Sequence, residues 1–150
     1  MDQLRLMALD ADDLGVVSAT CQDAVTRVSD LVLLPREKRF VATLNRFVWE
    51  KAPPRRKLFG PRPQYERRRS VLHFDRVLSA RRTGFDALRE EEVMSLLAIR
   101  WTATGEPSGT VDLVFAADAA IRLEVECIEA QLTDLGAAWS TASRPDHDRA

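Results

Sequence analysis

The sequence predicts an α+β domain built mainly on antiparallel sheet, curved or barrel-like, with one early helix packed on one face. Three observations predict it. About seven stretches alternate apolar and polar residues with the period of two that a half-buried strand requires. One run near the N-terminus, in contrast, carries secure helical spacing. The connections between strands are short and rich in proline, glycine and charge, and hairpins of that kind pair their strands antiparallel. The chain has 150 residues, 45% of them hydrophobic and 30% charged. That is enough for one domain with its own core. A single domain is expected over residues 1–139, followed by a disordered polar tail at 140–150.

Leu4 to Leu9 reads as a first strand. Asp10 then has the character of an N-cap, with Asp12 and Asp13 in the first turn, where acids favour the helix dipole. Leu14, Val17, Cys21 and Ala24 follow at helical spacing. Val25 to Leu34 and Arg39 to Trp49 are β-rich runs joined by Pro35-Arg36-Glu37-Lys38, a hairpin signal. In the second run Phe40, Ala42 and Leu44 share a face, while Phe47 and Trp49 fall on the other. The slip near Asn45-Arg46 predicts a bulge or a crossing between two packed surfaces.

Further along, Leu72, Phe74, Leu78 and Ala80 alternate in a fourth strand. Val93 to Ala103 is nearly continuous in apolar residues and reads as a central fifth strand. Thr110 to Phe115 is a sixth. Ile121, Leu123, Val125 and Cys127 alternate with Arg122, Glu124 and Glu126 in a seventh. Ile128, Leu132 and Leu135 then fit a short C-terminal helix closed by Gly136.

Between the first hairpin and the fourth strand lies the feature with most bearing on function. Lys51 to Arg69 reads KAPPRRKLFGPRPQYERRR: eight of nineteen residues are basic, one is acidic and four are proline. The segment is +7 in a chain of net charge −1. Its prolines remove ladder donors and keep the residues before them out of helix. An exposed arm without regular structure is expected from about Ala52 to Glu66. Its candidate binding residues are Arg55, Arg56, Lys57, Phe59, Arg62, Tyr65, Arg67 and Arg68. Three readings stand: a solvated loop, a protein-binding element pre-extended by proline, and a polyanion-binding arm in which Phe59 and Tyr65 stack on bases.

Four stretches carry a resemblance to a known family: LRLMALDADDLGVVSATCQDAV, LLPREKRFVATLNRFVWE, HFDRVLSARRTG and AIRLEVECIEAQLTDLGAAW. Together they resemble the alphaproteobacterial family known as domain of unknown function 2948, over about Leu4 to Trp139. The resemblance implies a small bacterial protein and brings no activity, cofactor or catalytic residue.

The chemistry-bearing residues are sparse. There is no CxxC, HExxH or calcium loop, so no metal or cofactor is expected. The six glycines do not form a phosphate-binding loop, and no G-x-S-x-G elbow is present. His73 is expected on the wet face of its strand, and Cys21 and Cys127 as small buried hydrophobes. Trp49, Trp101 and Trp139 are expected in or around the core. Glu124 and Glu126 offer a carboxylate pair for a cofactor-free enzyme, if they converge in a pocket with an arginine. The reading that results is a cytosolic, non-catalytic binding or adaptor module with a protein partner. RNA or another polyanion is the alternative, and a carboxylate enzyme the second. No membrane partner is expected, because no apolar run approaches the ~18 residues of a spanning helix.

Overall fold

The computed structural model describes residues 3–48 and 65–141. Strand β1 (Arg5–Ala8) leads into helix α1 (Ala11–Thr20), followed by β2 (Val25–Arg27), β3 (Leu31–Leu34) and β4 (Arg39–Phe47). After the undescribed stretch come β5 (Tyr65–Asp75), β6 (Val77–Thr83), β7 (Val93–Gly105), β8 (Ser108–Phe115), β9 (Ala119–Val125) and β10 (Ala130–Thr141). All the strand pairings are antiparallel, in the order β1-β10-β5-β4-β2-β7-β8-β9-β6, with β3 attached to β4. The expectation of an α+β fold on antiparallel sheet holds. The count of seven strands does not: among the described residues there are ten, and the sheet they form is open, with β1 and β6 at its ends.

Two sheets share β7. Val93 to Ser95 pair with β2, and from Leu96 onward β7 pairs with β8, with a bulge between Leu96 and Ala98. The run predicted from Leu72 to Ala80 is really two strands. Arg76 takes φ 64°, a left-handed bend that carries the chain from β5 in the first sheet to β6 in the second. The alternation changes phase there, so Val77 is buried and Leu78 exposed. Val25–Leu34 is also interrupted. A 3₁₀ turn at Val28–Asp30 sends the N–H groups of Val28 and Ser29 to the carbonyls of Glu92 and Glu90, which satisfies donors that a continuous ladder would have paired.

The helix forms for the reasons the sequence offered. The Asp10 carboxylate accepts from the Asp13 N–H at 2.8 Å, and Leu14, Val17 and Cys21 are buried. The core joins the inner faces of both sheets: Phe40, Leu72, Phe74 and Leu132 from the first, Val111, Leu113, Ile121 and Leu123 from the second, closed at one side by α1. Trp101 is half-buried against this core; Trp49 lies outside the described residues. Cys21 is fully buried as expected, but Cys127 lies past the end of β9 and is half-buried.

The predicted C-terminal helix does not exist; residues 130–141 are β10, paired with β1 on one side and β5 on the other. Ile128, Ala130, Leu132 and Asp134 are buried in strict alternation, and the last of these is a charged residue facing inward. Gly136, read as a helix stop, has φ +67° and falls in the irregularity between Leu135 and Trp139. Ser140 and Thr141, expected in a disordered tail, belong to the same strand. No described helix is long and apolar enough to cross a membrane.

Candidate binding site at the root of the basic segment

β4 ends and β5 begins side by side. Their ladder runs without interruption from Arg39↔Asp75 to Phe47↔Arg67, and the Val48 N–H donates to the Glu66 carbonyl at 2.8 Å. Residues 49–64 are therefore inserted between two adjacent, hydrogen-bonded strand ends. There is no bulge at Asn45-Arg46. The inward phase of Phe40, Ala42 and Leu44 continues through Arg46, which is fully buried.

Arg46 meets Asp134 across the interior. Nε donates to Oδ1 and Nη2 to Oδ2, both at 2.9 Å, a bidentate pair whose side chains are both at 0% exposure. Oδ1 also accepts from Ser70 Oγ at 2.7 Å, and Oδ2 from the Leu4 N–H at 2.9 Å. Arg68 adds its Nε at 3.8 Å from Oδ2 and donates from Nη1 to the Gly136 carbonyl at 3.2 Å. One carboxylate thus ties together the N-terminus, β4, β5 and β10. Burial pushes its pKa up, but the hydrogen bonds from Arg46, Ser70 and Leu4, with the Arg46 charge, outweigh that and hold it below the ordinary aspartate value.

Arg67 faces the other side of β5. Its Nη1 donates to the Asn45 carbonyl at 2.8 Å and its guanidinium lies 4.0 Å from the centre of the Phe47 ring. Arg67 and Arg68 were expected in an exposed arm; they are 3% and 6% exposed and belong to β5, as do Tyr65, Glu66 and Arg69. The reason is chemical: Arg68 has a neighbouring carboxylate and a backbone carbonyl, while Arg67 has the Asn45 carbonyl and the Phe47 ring, although its Nε and Nη2 are buried without a hydrogen-bond acceptor among the described residues. Arg55, Arg56, Lys57, Phe59 and Arg62 lie outside the described residues. Arg46, Ser70 and Asp134 were missed by sequence reasoning. Strand alternation on each side of Arg46 and Asp134 was the available signal.

The other groups weighed from sequence do not converge on one another. Glu126 pairs with Lys38 at 3.1 Å, Glu129 with Arg76 at 3.2 Å, and Glu124 accepts from Ser79 at 3.2 Å, each at the surface. His73 lies on the outer face of β5, 3.6 Å from Asp75; burial pushes its pKa down against the pull of that carboxylate. Burial pushes the Cys21 thiol up to about 12, with the Arg46 charge opposing, so its thiolate is negligible near neutral pH. Asp134, with every oxygen engaged, is a structural pin rather than a proton acceptor. Among the described residues no group of His, Cys, Asp and Glu is arranged to hold a metal.

Comparison with known proteins returns one assignment. No curated protein and no solved structure matches the chain. A family model described as "Protein of unknown function (DUF2948)" matches residues 4–147, nearly the whole length and both strands that meet at the buried pair. The chain belongs to the DUF2948 family.

Proposed function

We propose that the protein is a non-catalytic binding module that presents its basic, proline-rich segment to a protein partner from a rigid root. The observation that carries this reading is the buried Arg46–Asp134 pair with Ser70 and Arg68. It pins the two strand ends between which the segment is inserted. A binding element held on a fixed base loses less orientational freedom on association.

With Arg67 and Arg68 assigned to the root, the segment at 51–64 keeps five basic residues, four prolines and no acid. At +5 in a chain of −1, it leaves the remainder at −6. The fitting partner is an acidic surface with an apolar cleft for Leu58 and Phe59. Proline lowers the ordering cost of such an extended contact. The surface placement of Glu124, Glu126 and Glu129, each with its own partner, removes the support for a carboxylate enzyme built on them.

The test is a pulldown with the intact chain and with Arg55, Arg56, Lys57 and Arg62 replaced by serine, identifying both proteins and RNA. The variant is expected to melt at nearly the parent temperature and to lose one specific acidic protein. A variant that unfolds assigns the segment a structural role. Loss of RNA alone, with a steep salt dependence in the parent, replaces the protein partner with a polyanion.

A further inference from the structure

The outer face of the second sheet carries a row of charge that the basic segment does not explain. The registers place Arg100 on β7 opposite Asp112 on β8, Asp112 opposite Arg122 on β9, and Arg122 opposite Arg81 on β6. Asp112 is taken by Arg122, whose Nε and Nη2 donate to its two oxygens at 2.8 and 2.9 Å. Arg81 and Arg100 are exposed and have no acidic partner among the described residues. Arg81 faces Arg122 directly, a like-charge cross-strand pair that destabilises a sheet. Such a row costs stability in the free protein and is relieved by an anion.

Beside it runs a second row, Ala98, Val114, Ala120 and Thr83, short uncharged side chains that form a largely apolar shelf. On the other side Thr102, Thr110 and Ser79 supply hydroxyls around Glu124. The arginine row crosses four strands, about 14 Å at ordinary strand spacing. We propose that this face binds single-stranded nucleic acid, the arginine row holding a few successive phosphates and the shelf supporting the sugars and bases that hang to one side. An acidic peptide fits less well. Its charges sit at side-chain tips, and its backbone would need a strand edge, which the middle of a paired sheet does not offer. Arginine forks suit phosphate oxygens, and hydroxyls add further contacts.

The experiment is fluorescence anisotropy with a labelled single-stranded RNA of about 20 nucleotides, titrated at several salt concentrations between about 50 and 200 mM. The probe is expected to bind the parent. The Arg81→Ser/Arg100→Ser variant is expected to bind on the order of tenfold more weakly at the lowest salt. Its log–log salt slope should be shallower by about 1.4, the share of two phosphate contacts on a single strand. Because Arg81→Ser removes like-charge repulsion while Arg100→Ser removes an exposed cross-strand neighbour of Asp112, the variant's melting temperature should be nearly unchanged. Asp112→Asn, which deletes the one anion in the row, is expected to tighten binding. That is a gain which a merely structural role would not produce. No binding by the parent at about 50 mM salt overturns the proposal, as does a parent-like slope in the double variant or weaker binding by Asp112→Asn. If the serine variant at positions 55, 56, 57 and 62 alone loses the RNA, the binding belongs to the basic segment and the sheet face is excluded. Equal competition by poly-glutamate assigns the face to acidic protein and overturns it as well.

Discussion

Asp134 joins four separate parts of the chain through one carboxylate. It neutralises a fully buried arginine and accepts from Ser70 and the Leu4 N–H. Removing one partner of a buried pair leaves the other charge in low dielectric, which typically costs about 3–5 kcal/mol. Asp134→Ala should lower stability by that order in urea unfolding. The pH dependence has a definite sign. The folded pKa lies below the unfolded value of about 3.9, so the contribution is fully present above that value and is lost as pH falls through the folded one. The stability gap between parent and Asp134→Ala should be widest near neutrality and narrow progressively in acid. A constant gap down to the acid transition would mean that the charge of Asp134 contributes nothing. Replacing Arg46 and Asp134 together by Met and Leu should cost much less than either single change.

At the scale of elements, β6 shows how an open sheet protects its end. Its free edge faces β3 and the turn before β4, where the Val77 N–H donates to the Lys38 carbonyl. Arg82 pairs with Ile121 on the inward register, yet reaches out to the Leu31 carbonyl at 3.2 Å and lies 5.0 Å from the Phe85 ring centre. A register irregularity between Val77 and Ser79 and a charge at an inward position are both devices that keep edges from pairing with other chains. Arg82→Val should cost about 1 kcal/mol through the lost hydrogen bond. It should also raise concentration-dependent association in sedimentation velocity, because it uncovers an edge that already exposes Leu78. A variant that stays monomeric at every concentration would show that the backbone contact at Lys38 suffices.

The same scale shows what the sequence revealed. α1, the turn at Pro35–Glu37 and the alternations of β8 and β9 were legible because local chemistry and core burial agree there. The slip assigned to Asn45-Arg46 failed because Arg46 occupies an inward position where an apolar residue is expected. The helix assigned to Ile128–Leu135 failed chiefly because the alternation changes phase at Ile128, in the loop between β9 and β10, and the charge at the inward position of Asp134 then hid the new alternation of Ile128, Ala130 and Leu132. Arg46 and Asp134 lie 88 residues apart in sequence, and no local pattern links them. The same blindness placed Arg67 and Arg68 in the arm: a run of arginines looks solvated until the carboxylate and carbonyls that bury it are known. The arginine row on the second sheet needed the registers of four strands before its members became neighbours.

For the whole molecule, the pairing order interleaves the two halves of the chain. β1 pairs with β10, β4 with β5 and β2 with β7, so the residues before the basic segment cannot separate from those after it without breaking three ladders. A chain in which residues 51–64 are replaced by a sequence carrying a specific protease site should, once cut, still elute as one species in size-exclusion chromatography. Its circular dichroism should be unchanged. Two separately eluting fragments would mean that the insertion holds the halves together rather than being displayed by them.

The β1–β10 pairing has a consequence for the protein's manufacture. β1 must wait for β10 before it acquires its hydrogen-bonded neighbour, and the guanidinium of Arg46 must wait for Asp134. Until residues 130–141 emerge, the nascent chain holds an arginine aimed inward without the carboxylate of its bidentate pair, and a β5 whose β10 side is uncovered. Folding of this topology is governed by contacts distant in sequence, which form slowly. It is therefore not completed until residues 130–141 are available to pair with β1 and β5. A message truncated before codon 130 yields a product whose central ion pair can never close, a ready mark for disposal by quality-control proteases.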